Sequence, residues 1–474
     1  MKYMDIGNVK KAHFIGIGGA GMSAVAKLLR DAGVSVTGSD EGVYPPISTL
    51  LEQEKISYTT PYASENISTD ADLIVIGKNA KLVPETNAEV RAAYASGKKI
   101  LSFPEVLADL SEGKENIIVA GSYGKSTCAA LLSHILIEAK LDPSFFIGAV
   151  PISPATNAKL GKGDLFVMEG DEYPASNTDR RSKFLLMHPS HLLITPLAHD
   201  HFNIFPTPED YIKPFEELAN ITPQGATRVV CTEGALSGEF LSRLDRPAIT
   251  YGVHDGEFHA ANIVWGERTS FEIAHNDASV VRVEMSQLGE HSIQNVVGVA
   301  AFLFSQRLVT PGQFANAVAS FKGLKRRLDR KSDKTSIPIF EGFGSSYEKA
   351  KSAIAAMKRH FPSRRLLVIF EPNTISWRHR EALHQYDDVF EGVSHVYIFT
   401  APHDGKETQL STDEIADRVR ASGVPATPIS EPEQLLAQLE SDLQENDSVL
   451  LLSSGPLGGL VESIPLMAEK KFPK

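Results

Sequence analysis

Residues 117–139 constrain the fold more than any other stretch of the chain. An apolar run at 117–120 meets Gly121-Ser122-Tyr123-Gly124-Lys125-Ser126-Thr127 and passes directly into a second apolar run at 129–139. A strand, a glycine turn and a helix N-terminus in that order aim several backbone N–H groups at one point, where the helix dipole also favours an anion. Lys125 is placed to reach terminal phosphate oxygens, and the Ser126 hydroxyl to ligate Mg²⁺. The common pattern G-x-x-x-x-G-K-[ST] is shortened here, because Val119 stands at its first position. The competing reading is a tight strand–helix turn with a solvated lysine; the context favours phosphate, with Gly121, Ser122, Tyr123, Gly124, Lys125, Ser126 and Thr127 as the candidate nucleotide loop.

The surroundings repeat the same unit. Short apolar runs alternate with helical patterns through most of the chain, which predicts βαβ units, parallel sheets and an α/β fold. Strands are expected at 13–17, 34–36, 73–76 and 99–101, then at 117–120, 165–168, 192–195 and 228–231, and again at 366–370, 395–399 and 448–452. Between 245 and 285 the pattern alternates, which predicts a mixed or antiparallel edge. A boundary is expected near Ser111, and another where seven Lys or Arg are interleaved with two Asp between positions 322 and 334. With 474 residues the chain exceeds one domain, at the usual ~150 residues per domain.

A second glycine loop follows the first strand: Gly16-Ile17-Gly18-Gly19-Ala20-Gly21, with Asp40 about where a ribose-binding acid belongs. It predicts a diphosphate at a helix N-terminus. Close helix–strand packing is the bland alternative and a nicotinamide dinucleotide the functional one, but the latter leaves the Lys125 loop without a role. Glu169-Gly170-Asp171-Glu172 and His199-Asp200-His201 each follow a predicted strand, so both lie at strand carboxyl ends, where α/β sites form. Mg²⁺ takes oxygen ligands and retained waters; a carboxylate, a hydroxyl and phosphate oxygens suffice for it.

Composition removes other classes. A net charge of −12 repels nucleic acid and anionic membrane surfaces. No stretch of ~18 apolar residues suggests a membrane span. Two cysteines, Cys128 and Cys231, make no disulfide framework and fit a reducing compartment. The opening MKYMDIGNVKKAHFIGIGG reads as a buried strand rather than a signal peptide, so a cytoplasmic location is expected.

In this order, IGIGGAGMS, GSYGKST, the Glu169 and His201 clusters, GEHSIQN and FKGLKRRLD resemble the Mur ligases over essentially the whole chain. The stretches GSDEGVYPPISTLLE, DRRSKF and SSGPLGGL are similar to the branch that joins UDP-N-acetylmuramate to the tripeptide L-alanyl-γ-D-glutamyl-meso-diaminopimelate. The next most similar branch adds L-alanine. The resemblance implies three domains: a Rossmann-like UDP-sugar domain (1–108), a central ATP-binding domain (109–325) and a C-terminal Rossmann-like domain (326–474). It implies ATP and Mg²⁺ as cofactors and UDP-N-acetylmuramate plus an amino acid or short peptide as partners. It further implies catalytic roles for Lys125, Glu169, His201 and Arg327, and a metal site of Ser126, Glu169 and His201. Asn295, Arg326 and Glu341 join the nucleotide set. Gly16, Gly18, Gly19, Gly21, Ser39, Asp40, Asn79 and Arg181 are expected to bind the sugar nucleotide, and Arg378 and Arg380 a carboxylate of the incoming amine.

Departures from the family pattern cluster at the nucleotide. Tyr123 replaces a histidine, Ser292 an asparagine and Ala198 part of an acidic stretch, while Gly342, Ser345 and Ser346 stand where an acid and two histidines are usual. Losing one charged hydrogen-bond partner costs ~1.5–3 kcal/mol. Glu341 and Lys349 are the nearest substitutes. The alternative function is therefore a UDP-sugar-binding protein that kept the fold and lost efficient ligation.

Overall fold

A computed structural model of the chain describes residues 3–400 and 409–474. They form three sheets within two compact units: one runs to Ile263 and takes in Phe271–Glu284 and Ile293–Phe321, and the other comprises Val264–Ser270, Met285–Ser292 and Lys322–Lys474.

The first unit holds two sheets. Strands β1 (Lys11–Ile15), β2 (Ser35–Ser39), β3 (Ser57–Thr59), β4 (Leu73–Ile76) and β5 (Lys99–Leu101) form a parallel sheet in the order β3-β2-β1-β4-β5. Ile15 lies in register with Ser39 on one side and Ile76 on the other, so the loops after β1, β2 and β4 emerge together. Strand β1 stops two residues before its expected end because Gly16 adopts φ +87° and opens the glycine loop early. Helix α1 (Ala20–Asp31) then begins, with Gly19 as its N-cap.

The second sheet contains β6 (Glu115–Ala120), β7 (Ser144–Phe146), β8 (Ala158–Lys159), β9 (Leu165–Glu169), β10 (His191–Ile194), β11 (Arg228–Cys231), β12 (Ile249–Tyr251), β13 (Phe258–Val264), β14 (Thr269–His275) and β15 (Ala278–Met285). Their order is β15-β14-β13-β12-β11-β10-β6-β9-β7-β8. Connections of four and two residues join β13, β14 and β15; these are too short for a parallel crossover, so the expected antiparallel edge is present. At the heart of the sheet, β6 lies between β9 and β10, with Val119 opposite Glu169 and Ala120 opposite Ile194. Helix α2 (Lys125–Glu138) leaves the turn after β6. Phe14, Val25, Ile118, Phe146 and Phe166 belong to one apolar cluster, so a single core underlies both glycine loops.

In the second unit, β16 (Arg327–Arg330), β17 (Ile339–Gly342), β18 (Arg365–Phe370), β19 (His395–Phe399), β20 (Ala426–Ile429) and β21 (Asp447–Leu452) take the order β16-β17-β21-β18-β19-β20. Only the β16–β17 pair is antiparallel. Among the described residues no helix is long and apolar enough to cross a membrane.

A buried ionic network locks the first sheet. Glu89, fully out of solvent, accepts from His13 Nε2 (2.8 Å), Ser39 Oγ (2.6 Å), Asn66 Nδ2 (2.8 Å) and the Ala63 N–H (3.0 Å). Burial opposes its ionisation, yet these donors outweigh burial and hold its carboxyl below the usual glutamate range. Glu89→Ala strands four donors and is expected to cost about 3–5 kcal/mol, read as a lowered urea midpoint. A depressed folded pKa stabilises fully above the ordinary value of about 4.3 and loses that contribution as pH falls through the folded value. The gap between wild type and Glu89→Gln is therefore expected to close on acidification.

Candidate active site

Adjacent parallel strands bring three loops to one edge of the central sheet: the turn after β6, Glu169 to Tyr173 after β9, and Thr195 to His201 after β10. The turn after β6 needs its glycines. Gly121 (φ +136°) and Gly124 (φ +87°) both adopt backbone that disfavours a side chain. A Cβ on Gly121 would collide with Thr195, and one on Gly124 with the Asn295 carboxamide. Asn295 is buried in α3 (Glu290–Ser305) and accepts from the Cys128 thiol at 3.3 Å, so its side chain is packed under the loop. Tyr123 is exposed and Thr127 half-buried in the first turn of α2.

Lys125 and His201 converge on one buried acid. Glu172, with no exposed side-chain surface, takes Lys125 Nζ at 3.0 Å on one oxygen and His201 Nε2 at 3.2 Å on the other. Tyr211 Oη adds a longer contact at 3.5 Å. The other imidazole nitrogen faces Tyr173 Oη at 3.0 Å. Its hydrogen bond to Glu172 raises the His201 pKa against the opposing effect of burial. His201 itself sits at φ +58°, an uncommon conformation for a non-glycine residue and a mark of a site that over-determines its backbone.

Ser126 and Glu169 form a second group. Ser126 Oγ donates to Glu169 Oε1 (2.7 Å) and the Gly148 N–H to Oε2 (2.6 Å). Burial pushes the Glu169 carboxyl up, and these two bonds oppose it. The Ser126 oxygen keeps lone pairs for a cation, so hydroxyl and carboxylate fit a Mg²⁺ that brings phosphate and water oxygens with it. Among the described residues no three His, Cys, Asp or Glu side chains converge as a metal cage. Of the expected metal set, Ser126 and Glu169 are therefore joined directly, while His201 is held by Glu172 and Tyr173.

Both glycine loops open on one cavity of about 410 Å³, lined by Gly19 and Gly21 from the first sheet and by Lys125, Glu169 and His201 from the second. Lys78, Asp171, Tyr173 and Lys183 complete its charged and aromatic wall. Asp171 pairs with Lys183 at 2.5 Å and accepts from the Tyr173 N–H at 3.1 Å. Lys78 and Lys183 were given no site role by sequence reasoning, and Asp171 and Glu172 entered it only as members of the acidic run after β9. Glu172 lies in a run with Glu169 and Asp171, and nothing in the run says which carboxylate faces which loop. Asp40 closes the first glycine loop by accepting from the Gly18 N–H (2.7 Å) and Tyr62 Oη (3.1 Å). Gly16 is confined by Leu82, which a Cβ would meet at 2.8 Å.

Several expected contacts are redirected. Ser39 is buried and donates to Glu89, because it lies inside β2 in register with β1 and faces the ionic network. Ser122 donates its N–H to Pro196 and its hydroxyl to the Ala198 carbonyl, and accepts from the Ala198 N–H, so it braces the loop. Asn79 is exposed; its carbonyl takes Asn177 Nδ2 at 2.9 Å, and its side chain turns back on Lys81. Arg181 is exposed and held by Asp179 at 2.6 Å.

Within the second unit, Glu341 is buried and engaged by Lys331 (2.7 Å) and Arg326 (3.3 Å), as an acid out of water must be. Arg326 (φ +63°) also donates to the Ser453 and Gly455 carbonyls and lies over the Phe343 ring at 4.9 Å. Arg327 is exposed at the start of β16, opposite Gly342. Gly342 packs against Leu452, and Lys349 reaches Ser345 Oγ at 3.1 Å. A separate cavity of about 760 Å³ lies at the carboxyl ends of β18, β19 and β20, lined by Glu371, Arg378, Thr400 and Ser430 among others. Arg380 instead pairs with Glu414 at 2.7 Å.

Three family descriptions cover the chain in order: "Mur ligase family, catalytic domain" at 11–115, "Mur ligase middle domain" at 119–303 and "Mur ligase, glutamate ligase domain" at 326–455. A UDP-N-acetylmuramate–L-alanine ligase from Geobacter sp. (strain M21) is 30% identical, over 97% of this chain and 98% of the relative. The chain belongs to the Mur ligase family. Mur ligases are ATP-dependent amide-forming enzymes of peptidoglycan biosynthesis, and the three sheets are this family's three-domain architecture. Among solved Mur ligases, the UDP-N-acetylmuramate-alanine ligase of Thermotoga maritima shares the fold at TM-score 0.78 and 22% identity, over 97% of this chain and 99% of that one. The UDP-N-acetylmuramate:L-alanyl-gamma-D-glutamyl-meso-diaminopimelate ligase of Neisseria meningitides is 29% identical at TM-score 0.60, over 67% of this chain and 100% of that one.

The loop geometry yields a direct test. Gly124→Ala combines a positive φ with a collision against Asn295; left-handed backbone alone costs about 1–2 kcal/mol. Affinity for an ATP analogue, measured by calorimetry, is expected to fall about tenfold or more.

Proposed function

We propose that this Mur ligase couples the lactyl carboxylate of UDP-N-acetylmuramate to the amine of the tripeptide L-alanyl-γ-D-glutamyl-meso-diaminopimelate, with ATP and Mg²⁺. The observation that carries it is the shared cavity, where a sugar-nucleotide-type glycine loop faces Lys125, Glu169 and His201. The lactyl carboxylate attacks the γ-phosphorus of ATP, giving an acyl phosphate and ADP. The amine then adds to the acyl carbon, and the tetrahedral intermediate collapses with loss of inorganic phosphate and a proton. Both steps gather negative charge, so positioning and charge neutralisation are the protein's task. Lys125 neutralises phosphate charge from a position fixed by Glu172. Ser126 and Glu169 would hold Mg²⁺, which when bound screens the phosphate oxygens.

The C-terminal cavity supports the larger acceptor. Its 760 Å³ falls in the ~300–1,000 Å³ range that holds drug-sized ligands, and Arg378 offers a guanidinium suited to a peptide carboxylate. L-alanine is the second reading, favoured by the names of the curated relatives.

ADP release is the assay. With UDP-N-acetylmuramate, ATP and Mg²⁺, turnover is expected to depend on the tripeptide, and turnover with L-alanine alone selects the second reading. A folded protein inert with every amine, yet binding UDP-N-acetylmuramate, would mark a diverged binding homologue. Lys125→Ala is expected to remove about 1.5–3 kcal/mol of phosphate contact and at least tenfold in kcat/KM. Arg378→Ala is expected to raise the KM for tripeptide about tenfold or more while leaving the KM for ATP unchanged.

A further inference from the structure

Lys78 sits two residues past the end of β4, on the wall of the 410 Å³ cavity. In the first sheet the strand order runs outward from β1 in opposite directions, through β2 on one side and β4 on the other. Ligands of open parallel sheets bind in the crevice at such a reversal, beyond the strand carboxyl ends. The glycine loop after β1 forms one lip of that crevice and Lys78 the other.

The charges around the cavity leave Lys78 unmatched. Lys125 is paired with Glu172 and Lys183 with Asp171, while Glu169 is held by Ser126 and the Gly148 N–H. Lys78 makes no ion pair and no hydrogen bond among the described residues. Its ammonium lies over the Tyr173 ring at 5.1 Å, on the same tyrosine whose hydroxyl meets His201. Half-burial and the nearby Lys183 charge push its pKa down, against a smaller opposing pull from the more distant Asp171 carboxylate. A solvated surface lysine would avoid both penalties by swinging into water, whereas an anion entering the crevice relieves them.

We propose that Lys78 binds an anionic oxygen of the sugar nucleotide, on its diphosphate or its lactyl carboxylate, in the crevice between β1 and β4. The assignment rests on the sugar-nucleotide reading of the first glycine loop given above. It adds a cation from the first sheet, which carries a glycine loop and Asp40 but, among the described residues, no other lysine or arginine on the cavity wall.

Calorimetry with UDP-N-acetylmuramate and with UDP-N-acetylglucosamine, which lacks the lactyl carboxylate, tests the assignment. Wild type, Lys78→Met and Lys78→Arg are compared, with Lys78→Gln used if the methionine variant does not melt cooperatively. Removing the charge is expected to weaken UDP-N-acetylmuramate about ten- to hundredfold, and the arginine variant to recover most of the loss. A loss confined to UDP-N-acetylmuramate places the lactyl carboxylate at Lys78; an equal loss with both ligands places the diphosphate there. Unchanged affinity for both, in a protein whose wild type binds them, overturns the role of Lys78. A wild type that binds neither sugar nucleotide overturns the proposed function and this assignment with it.

Discussion

Parallel pairing makes every strand of a sheet end at the same edge, and the functional geometry of this protein follows from that constraint. A loop after one strand lies beside the loops after its two neighbours, however far apart they are in sequence. In the central sheet, β6 between β9 and β10 brings residues 121–127, 169–173 and 195–201 to one edge. In the first sheet, β1 between β2 and β4 gathers the glycine loop, Asp40 and Lys78 in the same way. The C-terminal cavity lies at the ends of three further parallel strands.

Charge compensation then decides what each group does. A carboxylate out of water must be paired or hydrogen-bonded, and Glu172, Glu89 and Glu341 each satisfy that rule with named partners. Glu172 fixes Lys125 and His201 from behind, so two groups on different loops share one buried anchor. Glu341 illustrates the opposite consequence. Once Lys331 and Arg326 have neutralised it, it is a structural acid of the C-terminal sheet.

Much of the architecture was legible in the sequence. The strands at 73–76, 99–101, 228–231 and 395–399 have the expected bounds, and the phosphate-type turn sits where its glycines and Lys125 place it. Strand ends elsewhere shifted by one to three residues, because runs buried on both faces carry no alternation to mark where pairing stops. The turn was readable because its requirements are local: positive φ at Gly121 and Gly124 and a helix N-terminus next to them. The hydrogen bonds of Ser122 and Ser39 were not legible, because a hydroxyl's partner is set by the neighbouring strand or loop, not by its own motif.

The sequence by itself determined the α/β class, the two glycine loops, the candidate Lys125–Ser126 pair and membership of a ligase family, since each depends on residues close together in the chain. Only the tertiary structure decided that Glu172, rather than its neighbours, holds Lys125 and His201, that both glycine loops open on one cavity, and that Lys78 stands there without a carboxylate partner among the described residues. Those facts depend on strand order and on which buried charges meet. Both arise from contacts between segments some twenty to a hundred residues apart, whose pairing no local pattern encodes.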